Sequence, residues 1–151
     1  MNLDYPLTEL DRQTLNRIIN WSIDWCEENL HSPIMGVIPS CRLDICEDCI
    51  AHYDVEGHEI VLNVNKIDTI RELLKNICHE WYHSTQDHHE YWDLHQKVGY
   101  DNHPHEKSAR RYEGFYLLLY PHLLERLGTS PTAKDRRELW WGNLRMSVFG
   151  L

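Results

Sequence analysis

The residues best placed to do chemistry are His79-Glu80-Trp81-Tyr82-His83, two imidazoles four positions apart with a carboxylate directly after the first. On a helix, side chains at i and i+4 share one face roughly 6 Å apart, so both rings can reach one metal ion. The intervening Glu80 then points at the water the metal carries, which is the chemistry of the HExxH zinc pattern. A catalytic zinc needs a third protein ligand and one open position, and a single helix cannot easily supply that ligand in tetrahedral geometry. Glu106 is the expected one. It opens a later helix, small Ala109 one turn on permits close approach, and Arg110 at i+4 could steady its free oxygen. His103 or His105 would serve instead if the same loop were shifted.

With zinc (Zn2+) held by His79, His83 and Glu106, Glu80 is the expected general base. The ion lowers the pKa of its water toward neutrality, Glu80 takes the proton during attack on a carbonyl, and the leaving amine receives it. Tyr100, His103, His105 and Tyr112 are candidate donors to the developing oxyanion. Asp87 or Asp101 could orient a ligand histidine, whereas His88, His89 and His95 read as solvated or supporting groups. Cys41, Cys46, Cys49 and His52 have spacings that a structural zinc could use, but Cys41 is equally explained as a small inward strand residue.

These residues resemble those of small zincin metallopeptidases of the gluzincin type. In that family an HExxH helix is followed by a helix giving a glutamate ligand in an E-x-x-A context, here Glu106-Lys107-Ser108-Ala109. The spacing is similar to that of short phage and bacterial metallopeptidases and the ImmA/IrrE-like group, over roughly residues 60–124. The resemblance implies an α+β, zincin-like fold that hydrolyses peptide bonds. It also implies that the Ile60-x-Leu62-x-Val64 strand offers its edge to an extended peptide or protein substrate. A different class of function fits the same pattern: a non-catalytic, metal-binding regulatory or interaction protein on that scaffold. An intact Glu80 favours the enzyme.

Several elements must position these groups. Leu15, Ile18, Ile19, Ser22, Trp25 and Cys26 follow helical spacing between about Thr8 and Leu30. Period-two alternation from Ser40 to Val64, with a Glu56-Gly57 turn, predicts about three strands in a small antiparallel sheet. Asp68 is a good N-cap for the motif helix, whose stripe of Ile70, Leu73, Leu74, Ile77, Cys78 and Trp81 lies opposite His79 and His83. That helix is expected to reach about His88, with an irregular or partly helical stretch from Asp87 to Asn102. His103-Pro104 opens the next helix, which Pro121 should kink and Gly128 should end. A short last helix carries Trp140 and Trp141 as core or lid aromatics.

The 151 residues are expected to form one domain, large enough for a real hydrophobic core. A net charge of −9 argues against nucleic acid as the main partner, since such binders concentrate Lys and Arg. Phe115 to Tyr120, the longest apolar run, is too short for a membrane span. Five cysteines without a basic and apolar leader suggest reduced thiols and a cytoplasmic location. Histidine is the unusual count at 11, seven of them between His79 and His105.

Overall fold

The structure, a computed structural model, describes residues 1–45 and 48–149, the last two by backbone alone. Its elements are α1 (Arg12–Asn29), β1 (Ser40–Asp44), β2 (Ala51–Asp54), β3 (Glu59–Asn63), α2 (Ile70–Ser84), α3 (His88–Val98), α4 (Pro104–Tyr112), α5 (Tyr116–Arg126) and α6 (Ala133–Phe149). The class is α+β. Among the described residues, no helix is long and apolar enough to cross a membrane.

The motif helix α2 lies at the centre of the packing. Its stripe residues Ile70, Leu73, Leu74, Ile77, Cys78 and Trp81 are fully buried. They join Ile18, Cys26, Ile60, Leu62, Leu119, Tyr120 and Leu123 in one core cluster contributed by α1, β3 and α5. Burying each large aliphatic side chain stabilises the fold by roughly 1.5–3 kcal/mol, so this stripe holds the helix firmly against the core. The opposite face is thereby turned outward to α4 and the sheet edge.

Helix α2 starts one residue later than expected. Thr69, not Asp68, is the N-cap: its hydroxyl accepts from Glu72 N at 3.3 Å, while Glu72 Oε2 accepts from Asp68 N at 2.8 Å. This is a near relative of the capping box, in which two free N–H groups are satisfied reciprocally. Two more are met by the N-terminal segment, with Ile70 N donating to Tyr5 O and Arg71 N to Leu3 O. The helix ends at Ser84 rather than His88. There the hydroxyls of Ser84 and Thr85 donate to Trp81 O and Tyr82 O, competing with continuation of the backbone ladder. Similarly α1 begins at Arg12, after Asp11 accepts from Thr14 N, and Leu7–Glu9 form a separate 3₁₀ turn.

The sheet differs from the expected antiparallel one. Its order is β1-β3-β2, with β3 antiparallel to β2 through the expected hairpin but parallel to β1. The sheet is therefore mixed, and β3 is its centre. Val61 and Asn63 are buried along with Ile60 and Leu62, which removes the half-exposed alternation expected of this strand.

The stretch 87–102 is more regular than expected. Asp87 caps α3 by accepting from His89 N and Glu90 N, and Gly99 ends it at φ 73°. At the other end of the molecule, Gly128 at φ 68° closes α5 in a Schellman arrangement. Gly128 N donates to Glu125 O and Thr129 N to Leu124 O. Pro121 is accommodated inside α5, and the interruption comes earlier, in a 3₁₀ turn at Glu113–Phe115. Helix α6 is longer than expected, and Trp140 and Trp141 are 60% and 56% exposed, so neither is a core residue. No disulfide joins the described cysteines.

Candidate metal centre

Helix α2 presents His79 and His83 from one face, and α4 brings Glu106 across from the other side in its first turn. His103 caps α4 by accepting from His105 N, Pro104 follows as its first residue, and buried Ala109 lets the two helices approach closely. The result is a triangle of lone pairs. His79 Nε2 and His83 Nε2 are 3.1 Å apart, His83 Nε2 is 3.3 Å from Glu106 Oε1, and His79 Nε2 is 3.4 Å from Glu106 Oε2. Among the described residues, these three form the group of potential ligands whose donor atoms all lie within 4.8 Å of one another.

The outer nitrogens of both rings are already used. His79 Nδ1 lies 2.9 Å from Glu113 Oε1, and His83 Nδ1 lies 2.8 Å from Gln86 Oε1. Because both partners accept, each Nδ1 carries the proton, which leaves both Nε2 lone pairs facing inward at each other and at a carboxylate. Such an arrangement repels itself unless a positive charge sits in the middle. A proton does this in part: burial disfavours a charged His79 ring, yet the facing Glu106 and Glu113 outweigh it and push its pKa up to about 10. Glu106 responds in the opposite sense. Burial raises it, but the two rings and the Tyr91 hydroxyl hold it well below the usual carboxylate range.

The spacing of the three groups also suits a metal ion. Tetrahedral zinc with bonds of about 2.0–2.1 Å spaces its ligands roughly 3.3–3.4 Å apart, close to the three separations here. Glu106 Oε1 accepts from Tyr91 Oη at 2.6 Å, whereas buried Oε2 makes no hydrogen bond. A buried carboxylate oxygen left unpaired is costly, and a bound cation would satisfy it.

Glu80 sits beside the cluster, 5% exposed, with its pKa raised by burial against the opposing pull of His83 and His79. The cluster opens into a cleft of about 270 Å³ walled by β2 (Ala51, His52, Tyr53), Val55, His88, Tyr91, Trp92 and Tyr100. No protein-family model, curated protein or solved structure matches the chain.

The structure brings His79, Glu80, His83 and Glu106 together around one cleft, and holds His103 and His105 away from it. His103 is fully buried and committed elsewhere: Nε2 donates to Tyr91 O at 2.8 Å while Nδ1 accepts from His105 N at 3.2 Å. His105 faces Tyr82 and Glu90 instead of the cluster. Of the four expected oxyanion donors, only Tyr100 lines the cleft, and Tyr112 packs on Tyr82 with ring centroids 4.6 Å apart. Arg110 does not steady Glu106; its guanidinium lies 5.7 Å over the Tyr100 ring, and the Tyr91 hydroxyl takes that role.

Glu113 and Gln86, not Asp87 or Asp101, orient the rings of His79 and His83. Gln86 follows His83 by three positions, so a hydrogen bond across the helix end was readable in principle. Glu113 is 34 residues from His79 and carried no such signal. His88, expected to be solvated or supporting, stacks on Tyr53 at 5.3 Å and lines the cleft. Of the cysteine set, Cys49 Sγ lies 3.4 Å from His52 Nδ1, and burial in β1 pushes Cys41 up to about 12. Cys46 lies outside the described residues.

Proposed function

We propose that this chain is a zinc-dependent metallopeptidase on a zincin-like scaffold, with His79, His83 and Glu106 holding the metal and Glu80 acting as general base. The observation that carries the reading is the inward convergence of the two Nε2 atoms on a buried carboxylate that has one oxygen without a hydrogen bond, with Glu80 alongside. Three ligands from the described residues leave the fourth position open, as catalytic sites require and closed structural sites do not. That favours an enzyme over a regulatory metal-binding protein.

Zinc bound there supplies Lewis acidity, acidifying water and polarising a carbonyl. The chain supplies the rest. Glu113 and Gln86 fix both rings in the tautomer that points Nε2 inward, and Tyr91 holds Glu106. Glu80, its carboxyl raised by burial, stands beside the two rings where it can take a proton from water and pass it to a leaving amine. Tyr100, half-exposed at the mouth, is the hydroxyl that can meet the substrate carbonyl oxygen.

The strand expected to hold an extended peptide is occupied on both sides, because β3 lies between β1 and β2. The strand that borders the cleft is β2, which has β3 on one side only among the described residues. An extended peptide therefore adds to β2. Incubation of the zinc-loaded protein with an unstructured peptide library, read by mass spectrometry, tests the proposal. Cleavage should stop on chelation and fall about 10²–10⁴-fold in Glu80→Gln. Equal cleavage by Glu80→Gln would remove the catalytic reading.

A further inference from the structure

A second cavity, about 450 Å³, lies behind the metal centre between α2, α4, α5 and α6. One wall is a single face of α6, on which Glu138, Trp141, Gly142, Arg145 and Met146 recur at helical spacing. Gly142 is needed for this closure. A Cβ there would come within 2.2 Å of Leu117 Cδ1 on α5. Leu117, Met146 and Trp141 supply apolar lining, and Lys75, Arg110 and Arg145 line the cavity as cations alongside the carboxylates of Glu113 and Glu138.

The charges are unevenly committed. Glu138 is held by two bonds from Arg71 and one from Tyr116, and Glu113 by His79. The three cations form no ion pair among the described residues: Lys75 lies 5.7 Å over the Tyr116 ring and Arg110 the same distance over Tyr100. In a chain of net charge −9, a hollow that gathers three cations without ion-pair partners among the described residues is unusual. Ligand sites have this form: a largely apolar hollow with a few convergent polar groups that fix orientation.

We infer that this cavity is a second binding site, taking a small amphipathic anion whose carboxylate or phosphate meets Lys75, Arg110 and Arg145 while its ring or alkyl body packs on Trp141, Leu117 and Met146. Inorganic phosphate alone lacks the body, and a neutral ring lacks the charge, so each binds more weakly than the two combined. The site does not depend on the zinc reading. One residue joins it to the metal centre, since Glu113 both lines this cavity and accepts from His79. If zinc occupies His79, an anion here makes the potential at the metal more negative, and linkage requires each to strengthen the other's binding.

The test is titration of the ¹⁵N-labelled full chain with phenylphosphate, following the amides of Gly114 and Gly142, which line the cavity. Saturable shifts at both glycines are expected, at least tenfold tighter than with phenol or inorganic phosphate, and weakened about tenfold in Arg145→Gln and further in Lys75→Gln/Arg145→Gln. Arg145 is exposed, so the single variant keeps its fold. Absence of shifts at the glycines, equal response to phenol, or unchanged affinity in Arg145→Gln would overturn the proposal. Repeating the titration on metal-stripped protein separates the two claims. The glycine shifts should persist there, and only the mutual strengthening should disappear; glycine shifts that appear only with zinc bound would overturn the independent site.

Discussion

Replacing Glu113 by Gln should weaken zinc binding without displacing any ligand. Glutamine keeps an oxygen that can accept from His79 Nδ1, so the ring tautomer survives and only the charge is lost. The Glu113 side chain is 31% exposed, and its Oε1 is 2.9 Å from His79 Nδ1, which puts the carboxylate roughly 6 Å from the point where the three lone pairs converge. At an effective dielectric of about 20 the lost attraction for one positive charge is about 2.8 kcal/mol, and at about 40, allowing for solvent at a partly exposed group, about 1.4 kcal/mol. That is a ten- to hundredfold loss in affinity, the range found for supporting groups around metal ligands. Competition for zinc against a chromophoric chelator measures it. Glu113→Ala, which also frees the ring to turn, should lose more. Affinity within twofold of wild type in Glu113→Gln would refute the idea that this carboxylate tunes the site.

Away from the cleft, Asp135 is 1% exposed and accepts from Tyr120 Oη at 2.9 Å and Leu3 N at 3.2 Å. Asp135→Ala strands both donors and should cost about 2–4 kcal/mol in urea unfolding, with zinc binding retained. Leu74→Ala, on the buried side of α2, should cost about 2–5 kcal/mol in the same assay and also leave zinc stoichiometry intact. Loss of the metal in that variant would mean the two faces of α2 are not separable. The Asp4 and Glu138 carboxylates, paired with Lys134 and Arg71, both have depressed pKa values. A depressed folded-state pKa gives stability that is present above the ordinary value and lost as pH falls. Thermal stability should therefore decline below about pH 4.5, less steeply in Arg71→Met than in wild type.

The site was legible where the chemistry is local in sequence. His79, Glu80 and His83 are fixed relative to one another by the pitch of one helix, and the apolar stripe of α2 determines which way they face. Glu106 was reachable because Pro104 and a capping residue mark the start of its helix. Groups joined only by tertiary packing were not. Tyr91 and Glu113 meet Glu106 and His79 from α3 and a 3₁₀ turn, and neither spacing nor composition pairs them. Helix α3 escaped for a related reason. None of its residues is buried, so it has no stripe, although its cap Asp87 and its terminating Gly99 are both plain in the sequence. Strand β1 was expected to pair antiparallel because short neighbouring strands suggest hairpins. Instead β3 pairs between β1 and β2, so among the described residues the outer strands of the sheet are β1 and β2 and not β3.

The most direct test of the central claim is metal content by elemental analysis, compared across wild type, His79→Ala, Glu106→Ala and Glu80→Gln. If His79, His83 and Glu106 hold the ion, wild type and Glu80→Gln should carry near-stoichiometric zinc after exhaustive dialysis, and the other two should lose it. Zinc retained in both His79→Ala and Glu106→Ala, or none in wild type reconstituted with excess zinc, would contradict the account.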